Sequence, residues 1–182
     1  LRAAHQDHSA EDNKLAMKYQ MQRLIGYLSN CPVTLATIDK IEADDSIAYM
    51  CKQLLPDSNC FIMSSDKDFL QLVDSRITVW SPTKKKYYFA HDVQDEFGLI
   101  PENYILYKCL LGDKGDNVPG IPGVGPKRAQ SLIQQFGSAM DIYDATPISG
   151  TYKYIQSVNE HAEQILKNYE LMDLVTYCDE AI

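Results

Sequence analysis

The segment from Gly112 to Ala129 constrains this 182-residue chain more than any other part of its sequence. Asp113 and Asp116 lie near its start, and carboxylate oxygens are the ligands that Mg²⁺ and Mn²⁺ prefer. Further on, Gly123-Val124-Gly125 before Pro126 predicts a tight hairpin that opens a helix. The free backbone N–H groups of such a turn suit a phosphate. A metal site beside a phosphate-binding turn would suit an enzyme that cuts nucleic acid.

Two further acidic clusters lie upstream, each near the end of a predicted element. Their members are Glu42, Asp44 and Asp45 in the first cluster, and Asp66 and Asp68 in the second. Because sites in α/β sheets form at the carboxyl ends of strands, we expect all three clusters to converge. Seven like charges in one cleft would repel unless cations neutralised them. Two divalent ions would do so, and such a pair fits in-line phosphodiester hydrolysis.

Each cluster also has a simpler interpretation. Carboxylates favour helix N-termini through the helix dipole and need no metal there, which applies to the first two clusters. Asp113 and Asp116 could instead belong to a calcium loop of the EF-hand type. That alternative fails because Val124 stands where a bidentate Glu would be required. Taken together, the three clusters favour the metal interpretation.

The order of predicted elements indicates an α/β fold. Helices are predicted from a cap at Ser9 to Asn30, from Glu42 to Leu55, from Asp66 onward, from Pro101 to Leu111, from Pro126 to Gly137 and from Glu160 to Tyr169. Strands are predicted at Val33–Ile38 and Cys60–Ser64, with Arg76–Trp80 pairing with Tyr87–Phe89 across a lysine-rich turn. This alternation predicts a mostly parallel sheet flanked by helices, followed by a helical region. We place the α/β core in residues 1–100 and the helical region in residues 101–182.

The net charge of −8 and the isoelectric point near 4.9 argue at first against a nucleic-acid partner. The seven clustered carboxylates account for most of that charge, so the rest of the chain is nearly neutral. Lys84–Lys86 form one local basic spot, and Lys127 with Arg128 forms another after the predicted hairpin. The second spot predicts contact with phosphates regardless of base sequence.

The cysteines and the hydropathy of the chain indicate the cellular compartment of the protein. The five cysteines are scattered singly without a Cys-x-x-Cys pair: Cys31, Cys51, Cys60, Cys109 and Cys178. We interpret them as reduced core residues, as in cytoplasm. No apolar run approaches the length of a membrane span. We therefore expect a protein of a reducing, cytoplasmic compartment without a membrane partner.

Four segments together resemble the 5′-nuclease family. This family includes phage 5′-exonucleases and RNase H, the N-terminal domain of bacterial DNA polymerase I, and flap endonucleases. The segments are Glu42-Ala43-Asp44-Asp45, Ser65-Asp66-Lys67-Asp68-Phe69 with Gln71-Leu72, Gly112-Asp113-Lys114-Gly115-Asp116-Asn117, and Gly120 to Ala129, which resembles a helix–hairpin–helix. Their order and spacing agree with the family over roughly residues 10–178. Trp80-Ser81-Pro82 with Lys84–Lys86 is most similar to the phage members.

The resemblance implies a PIN-like core and a two-metal 5′-3′ exonuclease or flap endonuclease. Its substrates would be DNA with 5′ ends, flaps or branches, and RNA primers in RNA–DNA hybrids, during replication and repair. The resemblance also implies a monomeric protein of a bacterial or phage-infected cell. The implied ligands of two Mg²⁺ ions, replaceable by Mn²⁺, are Glu42, Asp44, Asp45 and Asp66 for the first and Asp68, Asp113 and Asp116 for the second. Asp66, Asp113 and Lys67 are the implied catalytic residues, with Lys67 near the scissile phosphate. The implied DNA contacts are Gly123, Val124, Gly125, Lys127 and Arg128, and the implied K⁺ ligands are the carbonyls of Gly120, Ile121 and Val124.

The chain also departs from the family pattern. Family members begin with two strands that each carry an Asp, followed by a basic helical arch, and these have no clear counterpart here. We expect them upstream of Leu1 in a longer protein. One alternative is a non-catalytic fragment that grips duplex DNA through the hairpin. Another is an RNA-cutting relative with a similar acidic sheet, which the predicted clamp at Gly120 to Arg128 disfavours.

Overall fold

The computed structural model describes residues 10–176, which form two compact units divided between Asp39 and Lys40. The predicted cap at Ser9 and the cysteine at Cys178 lie outside the described residues. The first unit contains α1 (Ala10–Leu28), as predicted, and none of its side chains is buried.

The strand predicted at Val33–Ile38 is wrong. This segment has no regular secondary structure, and its apolar side chains are exposed, with Val33 at 53% and Leu35 at 48%. A strand requires a neighbour for its N–H and C=O groups. Within residues 10–176 no strand pairs with this segment, so branched side chains alone do not produce a strand here.

The second unit holds a sheet and a set of packed helices. Its α-helices are α2 (Ala43–Tyr49), α3 (Ala90–Phe97), α4 (Tyr104–Leu111), α5 (Pro126–Phe136), α6 (Ala139–Asp144), α7 (Lys153–Glu160) and α8 (Ala162–Met172). Its strands are β1 (Cys60–Met63), β2 (Ile77–Ser81), β3 (Lys86–Tyr88), β4 (Gly112–Asp113) and β5 (Val118–Pro119). A π-helical turn covers Met50–Leu54, and 3₁₀ turns cover Asp68–Leu72 and Pro101–Asn103.

The larger sheet has the strand order β1-β2-β3. β1 and β2 are parallel, and β2 and β3 form the predicted antiparallel hairpin, so the sheet is mixed. Its inner face is built from branched and aromatic side chains such as Ile62, Val79 and Tyr88, which are at most 5% exposed. This sheet, followed by a helical region, confirms the predicted fold class.

Helix bounds follow the sequence signals closely in most places. The helix predicted from Glu42 to Leu55 is continued by the π-helical turn and ends before Pro56. The helix predicted from Glu160 to Tyr169 corresponds to α8, which begins at Ala162 and which His161 separates from α7. α6 and α7 were not predicted from the sequence.

One hydrophobic core runs through the second unit, from Ala48 in α2 to Leu174 beyond α8. The 3₁₀ turn after β1 contributes Phe69 and Leu70, which are at most 2% exposed, and α4 contributes Leu110. The buried side chains of these elements therefore fix the positions of the acidic residues that the same elements carry. The predicted domain boundary at residue 100 stays a prediction.

Three of the described cysteines are buried and reduced, as predicted. Burial raises the pKa of Cys51 to about 11 and that of Cys109 to about 12, so these thiols are poor nucleophiles. Cys31 is exposed and does not belong to the core. None of the helices in residues 10–176 has the length and apolar character needed to cross a bilayer.

Candidate metal centre

The structure brings the predicted carboxylates together at one end of the sheet. Six of them line a single cleft of about 510 Å³: Glu42, Asp44, Asp45, Asp66, Asp68 and Asp116. Asp113 lines a neighbouring cleft of about 530 Å³ that it shares with Asp66 and Asp68. Segments more than sixty residues apart in sequence thus converge on the same surface.

Local hydrogen bonds explain how the second cluster is presented. The chain turns sharply after β1, where Ser64 Oγ accepts a hydrogen bond from the N–H of Asp66 at 3.0 Å. Asp66 Oδ1 then accepts from the N–H of Asp68 at 2.9 Å, which starts the 3₁₀ turn. In the first cluster, Asp44 and Asp45 occupy the first turn of α2, where the helix dipole favours negative charge.

The third cluster lies on the loop between β4 and β5, which pair with each other at its base. Asp113 Oδ1 accepts a hydrogen bond from the N–H of Gly115 at 2.7 Å, which shapes this loop. One carboxylate oxygen from each of Asp68, Asp113 and Asp116 lies within 4.8 Å of the other two. Three oxygens at this spacing are a suitable donor set for a hard divalent cation.

Lys108 is a member of the site that sequence reasoning missed. Its Nζ lies 2.5 Å from Asp68 Oδ1 and donates a hydrogen bond to Asp113 Oδ2. The Lys108 side chain is only 13% exposed, so its charge is shielded from water. The available signal was its place in the last turn of a predicted helix, five residues before Asp113.

The pKa values show how unfavourable the uncompensated cluster is. Burial raises the pKa of Asp68, although hydrogen bonding and attraction to Lys108 act against this. Burial also raises the pKa of Asp44, and repulsion from Asp66 and Asp68 adds to the shift. The hydrogen bond from Lys108 lowers the pKa of Asp113. Burial would lower the pKa of Lys108 itself, but its two carboxylate partners raise it overall.

These shifts indicate a site that needs positive charge. Asp68 Oδ1 is buried and, among the described residues, has the Lys108 ion pair but no regular hydrogen bond. One ammonium cannot neutralise the surrounding carboxylates. The set of carboxylate oxygens around this buried position therefore fits divalent cations such as Mg²⁺ or Mn²⁺.

The predicted hairpin is present at the start of α5. Val124 is buried, and its N–H donates to the carbonyl of Ile121 at 3.0 Å, closing the turn. Gly123 has a φ of 77°, a left-handed conformation that favours glycine. Gly125 precedes the helix in an extended conformation, and Pro126 occupies the first turn, as predicted.

Family comparisons agree with this geometry. Residues 9–98 match the model of the 5′-3′ exonuclease N-terminal resolvase-like domain, and residues 99–182 match that of the 5′-3′ exonuclease C-terminal SAM fold. The chain belongs to the 5′-3′ exonuclease family.

Similar proteins include members from phages and bacteria. The flap endonuclease of Escherichia phage T5 is 37% identical over 149 residues, which cover 80% of this chain and 51% of the phage protein. The 5′-3′ exonuclease of Halalkalibacterium halodurans is 33% identical over 167 residues, covering 88% of this chain and 55% of the relative. The chain thus spans about half the length of these curated relatives.

A solved structure shares the fold closely. The crystal structure of the T5 D15 protein co-crystallised with metal ions superimposes with a TM-score of 0.85 at 32% identity. That alignment covers 100% of this chain and 68% of the T5 chain. The catalytic core of Rad2 in complex with DNA, at 21% identity and a TM-score of 0.54, shows the same fold.

The basic residues of this exonuclease-family chain are not equally available. Arg128 Nη1 donates to the carbonyl of Gly123 at 2.5 Å, and its guanidinium lies 5.0 Å from the ring centre of Tyr154. Arg128 therefore stabilises the hairpin. Lys127 is exposed and forms no salt bridge with any described residue. Lys67 lines the cleft that contains Asp113, with Nζ 5.6 Å from the ring centre of Phe97.

The lysine-rich turn between β2 and β3 is largely neutralised. Lys84 pairs with Glu96 at 2.8 Å, and Lys86 lies 3.6 Å from Asp92 and 3.5 Å from Glu96. These lysines are part of an ion-pair network beside α3. The basic spot expected there is therefore weaker than the sequence alone indicates.

Proposed function

We propose that this chain is part of a metal-dependent, structure-specific 5′ nuclease. The proposed substrates are DNA with 5′ ends, flaps or branches, and RNA primers in RNA–DNA hybrids. The observation that carries the proposal is the convergence of three acidic segments beside buried Lys108, on a unit that also presents the hairpin. A T5 flap endonuclease complex with DNA and metal ions, at a TM-score of 0.83 and 32% identity, supports it.

The proposed metal ligands divide into two groups. Asp68, Asp113 and Asp116 would hold one ion, and Glu42, Asp44, Asp45 and Asp66 would hold the other. When bound, two divalent ions supply charge that stabilises the attacking and leaving oxygens of an in-line displacement. Mg²⁺ is the proposed ion, with Mn²⁺ as a substitute, because all seven donors are hard oxygens.

The remaining roles belong to the chain's own cations and turns. Lys67 is proposed to contact the scissile phosphate from the cleft that it shares with Asp66 and Asp113. Lys108 would hold Asp68 and Asp113 in place and balance their charge. A monomeric state and a cytoplasmic location stay predictions.

The hairpin is proposed to hold the duplex through its phosphates. Gly123 and Gly125 would bring backbone N–H groups close to a phosphate, and Lys127 would add an exposed charge. Val124 would hold the turn in shape, because its N–H already donates to the Ile121 carbonyl. Arg128 would support this indirectly, through its bond to the Gly123 carbonyl. The carbonyls of Gly120, Ile121 and Val124 are proposed to bind K⁺ at this turn.

Cleavage of branched DNA tests the proposed function. The protein is incubated with a labelled 5′-flap duplex and with the matching blunt duplex, with Mg²⁺, with Mn²⁺ or with a chelator. We expect metal-dependent cutting near the flap junction and little cutting of the blunt duplex. Duplex binding without cleavage would support the alternative of a DNA-binding module, and failure of both binding and cleavage would overturn the proposal.

A substitution in the hairpin gives a second test. Gly125 has φ of −102°, and a Cβ placed there meets no heavy atom within 4 Å, so folding should tolerate Gly125→Val. We expect duplex affinity to fall roughly tenfold, equivalent to about 1.4 kcal/mol, because the side chain would keep a phosphate away from the backbone. Affinity is measured by fluorescence anisotropy at one fixed salt concentration.

The control is Gly26→Val, since a Cβ at Gly26 also meets nothing within 4 Å. The loss at Gly125 should be similar for two flap duplexes of scrambled sequence, because phosphate contacts carry no sequence information. A strong preference between the two duplexes would indicate base recognition and contradict the proposed clamp.

A further inference from the structure

Two buried side-chain amides connect α8 with the two segments that carry the carboxylates of the metal centre. Asn168 lies within α8 and is 0% exposed, and Gln71 lies in the 3₁₀ turn that begins at Asp68 and is 8% exposed. Neither side chain reaches a carboxylate of the site. Both instead bind backbone groups of another segment, and these bonds satisfy amides whose burial would otherwise be costly.

Asn168 closes the base of the loop that carries Asp113 and Asp116. Its Nδ2 donates to the carbonyl of Cys109 at 2.9 Å and to the carbonyl of Pro119 at 2.7 Å. Cys109 lies in the last turn of α4, where carbonyls lack partners within the helix. Pro119 lies across the β4–β5 ladder from Gly112. One amide therefore ties together the two ends of the acidic loop.

The orientation of the Asn168 amide is also set. Its Oδ1 accepts a hydrogen bond from Gln164 Nε2 at 2.7 Å, one turn earlier in α8. This leaves Nδ2 facing the two carbonyls, so every polar atom of the side chain is used. A side chain without this donor could not bind both strands of the loop base.

Gln71 makes the matching connection from the other segment. Its Nε2 donates to the carbonyl of Met172 at 3.1 Å, and its Oε1 accepts from the N–H of Leu174 at 3.1 Å. The turn that presents Asp68 is therefore attached to the C-terminal end of α8. The same stretch, including Met172 and Leu174, lines the acidic cleft.

Together these contacts make α8 a spacer between the segment that carries Asp68 and the loop that carries Asp113 and Asp116. Asn168 and Met172 are one helical turn apart, about 6 Å along a rigid axis. Asp68 is held at one attachment, and Asp113 with Asp116 at the other. We propose that Asn168 and Gln71 are positioning residues that set the separation of these three carboxylates, an inference that rests on the metal centre of the proposed function.

Lys108 cannot replace this arrangement. Its ammonium attracts Asp68 and Asp113, but it lies on a flexible stem and contacts only side chains. The two amides attach the backbone of the acidic loop and the backbone near Asp68 to α8. The separation that they set between these segments therefore does not depend on charge. Loss of a hydrogen bond made directly to a metal ligand commonly lowers metal affinity by about 10- to 100-fold. The two amides act on the backbone that carries the ligands, so we expect the lower end of that range.

The test is a Mn²⁺ titration of Asn168→Leu and Gln71→Met, two apolar replacements of similar size. Free Mn²⁺ is measured by its electron paramagnetic resonance signal, and thermal unfolding is recorded for each protein without metal. Each variant is expected to bind Mn²⁺ about tenfold more weakly than the wild type or worse. The matched control is Val158→Ala, which removes a fully buried side chain of α7.

The control separates positioning from general stability. Val158→Ala should lower the unfolding midpoint yet keep the Mn²⁺ dissociation constant within about twofold, since it lies outside both attachments. If wild-type protein binds no Mn²⁺, the metal centre and the proposed function fail together. If the wild type binds but both amide variants behave like the control, only the positioning role is wrong. If Asn168→Leu does not fold, Asn168→Ser replaces it, and its Mn²⁺ dissociation constant and that of Gln71→Met are compared with the value for Val158→Ala.

Discussion

Asp113→Ala should reduce cleavage of a 5′-flap substrate about a thousandfold or more, because metal-assisted charge stabilisation supplies several kcal/mol to such reactions. Asp113 is one of the three carboxylates whose oxygens lie within 4.8 Å of each other, and it also binds Lys108. Duplex affinity should change little, since the hairpin is a separate element. Single-turnover cleavage and equilibrium binding are measured on the same substrate, using the longest form of the protein that cleaves it.

The matched experiment targets the hairpin. Lys127→Ala combined with Arg128→Ala should weaken binding on all sequences and reduce the salt dependence of binding by about one phosphate contact for each charge that touches DNA. Because Arg128 is already bound to the Gly123 carbonyl, we expect Lys127 to account for most of the change in salt dependence. Lys167→Ala, at an exposed lysine of α8, is the control. Equal loss of binding from Asp113→Ala and from the basic pair would show that the roles are assigned wrongly.

Millimolar Mg²⁺ should raise the thermal unfolding midpoint of the wild-type protein by roughly 5–10 °C, as expected for a ligand at about a hundred times its dissociation constant. The physical reason is the burial and crowding of carboxylates: burial, with repulsion from neighbouring carboxylates added, raises the pKa of Asp44 and Asp68. A divalent ion that binds only the native state relieves this repulsion. Differential scanning fluorimetry with and without Mg²⁺ measures the shift.

Three variants test whether the shift in the unfolding midpoint arises at the metal centre. Asp68→Asn should lose most of the shift, whereas Asp57→Asn, at an exposed position outside the cleft, should keep it. Lys108→Met should increase the shift, because the metal-free protein then lacks its buried ammonium. An unchanged wild-type midpoint at millimolar Mg²⁺ would contradict a shared metal site.

Signals confined to a few neighbouring residues predicted much of this protein. Pro101 and Pro126 begin helices, Gly137 ends one, and Cys60 begins a strand, as expected, although only one face of that strand is buried. The hairpin was also predictable, because a positive φ at Gly123 and a proline in the first helical turn are local requirements. Acidic residues at element ends were visible for the same reason, although their role as ligands stays a proposal.

Contacts between distant segments were decided only by the tertiary structure. Residues 33–38 have the composition of a strand but no partner among the described residues, and strand formation depends on that partner. Lys84–Lys86 were expected to form a local basic spot, yet folding places Lys86 near Asp92 and Glu96. Local sequence carries no information about such neighbours.

The metal centre also combines features that the local sequence predicts with contacts that only the tertiary structure creates. The sequence determined which residues carry carboxylates and near which element ends they lie. Only packing could bring Lys108 between two of them and join Gln71 to Met172 across 101 positions, and Asn168 to Cys109 across 59. The reason is physical: helix and turn signals arise from interactions within a few residues, whereas these bonds form only when the core has fixed the relative positions of α4, α8 and the 3₁₀ turn.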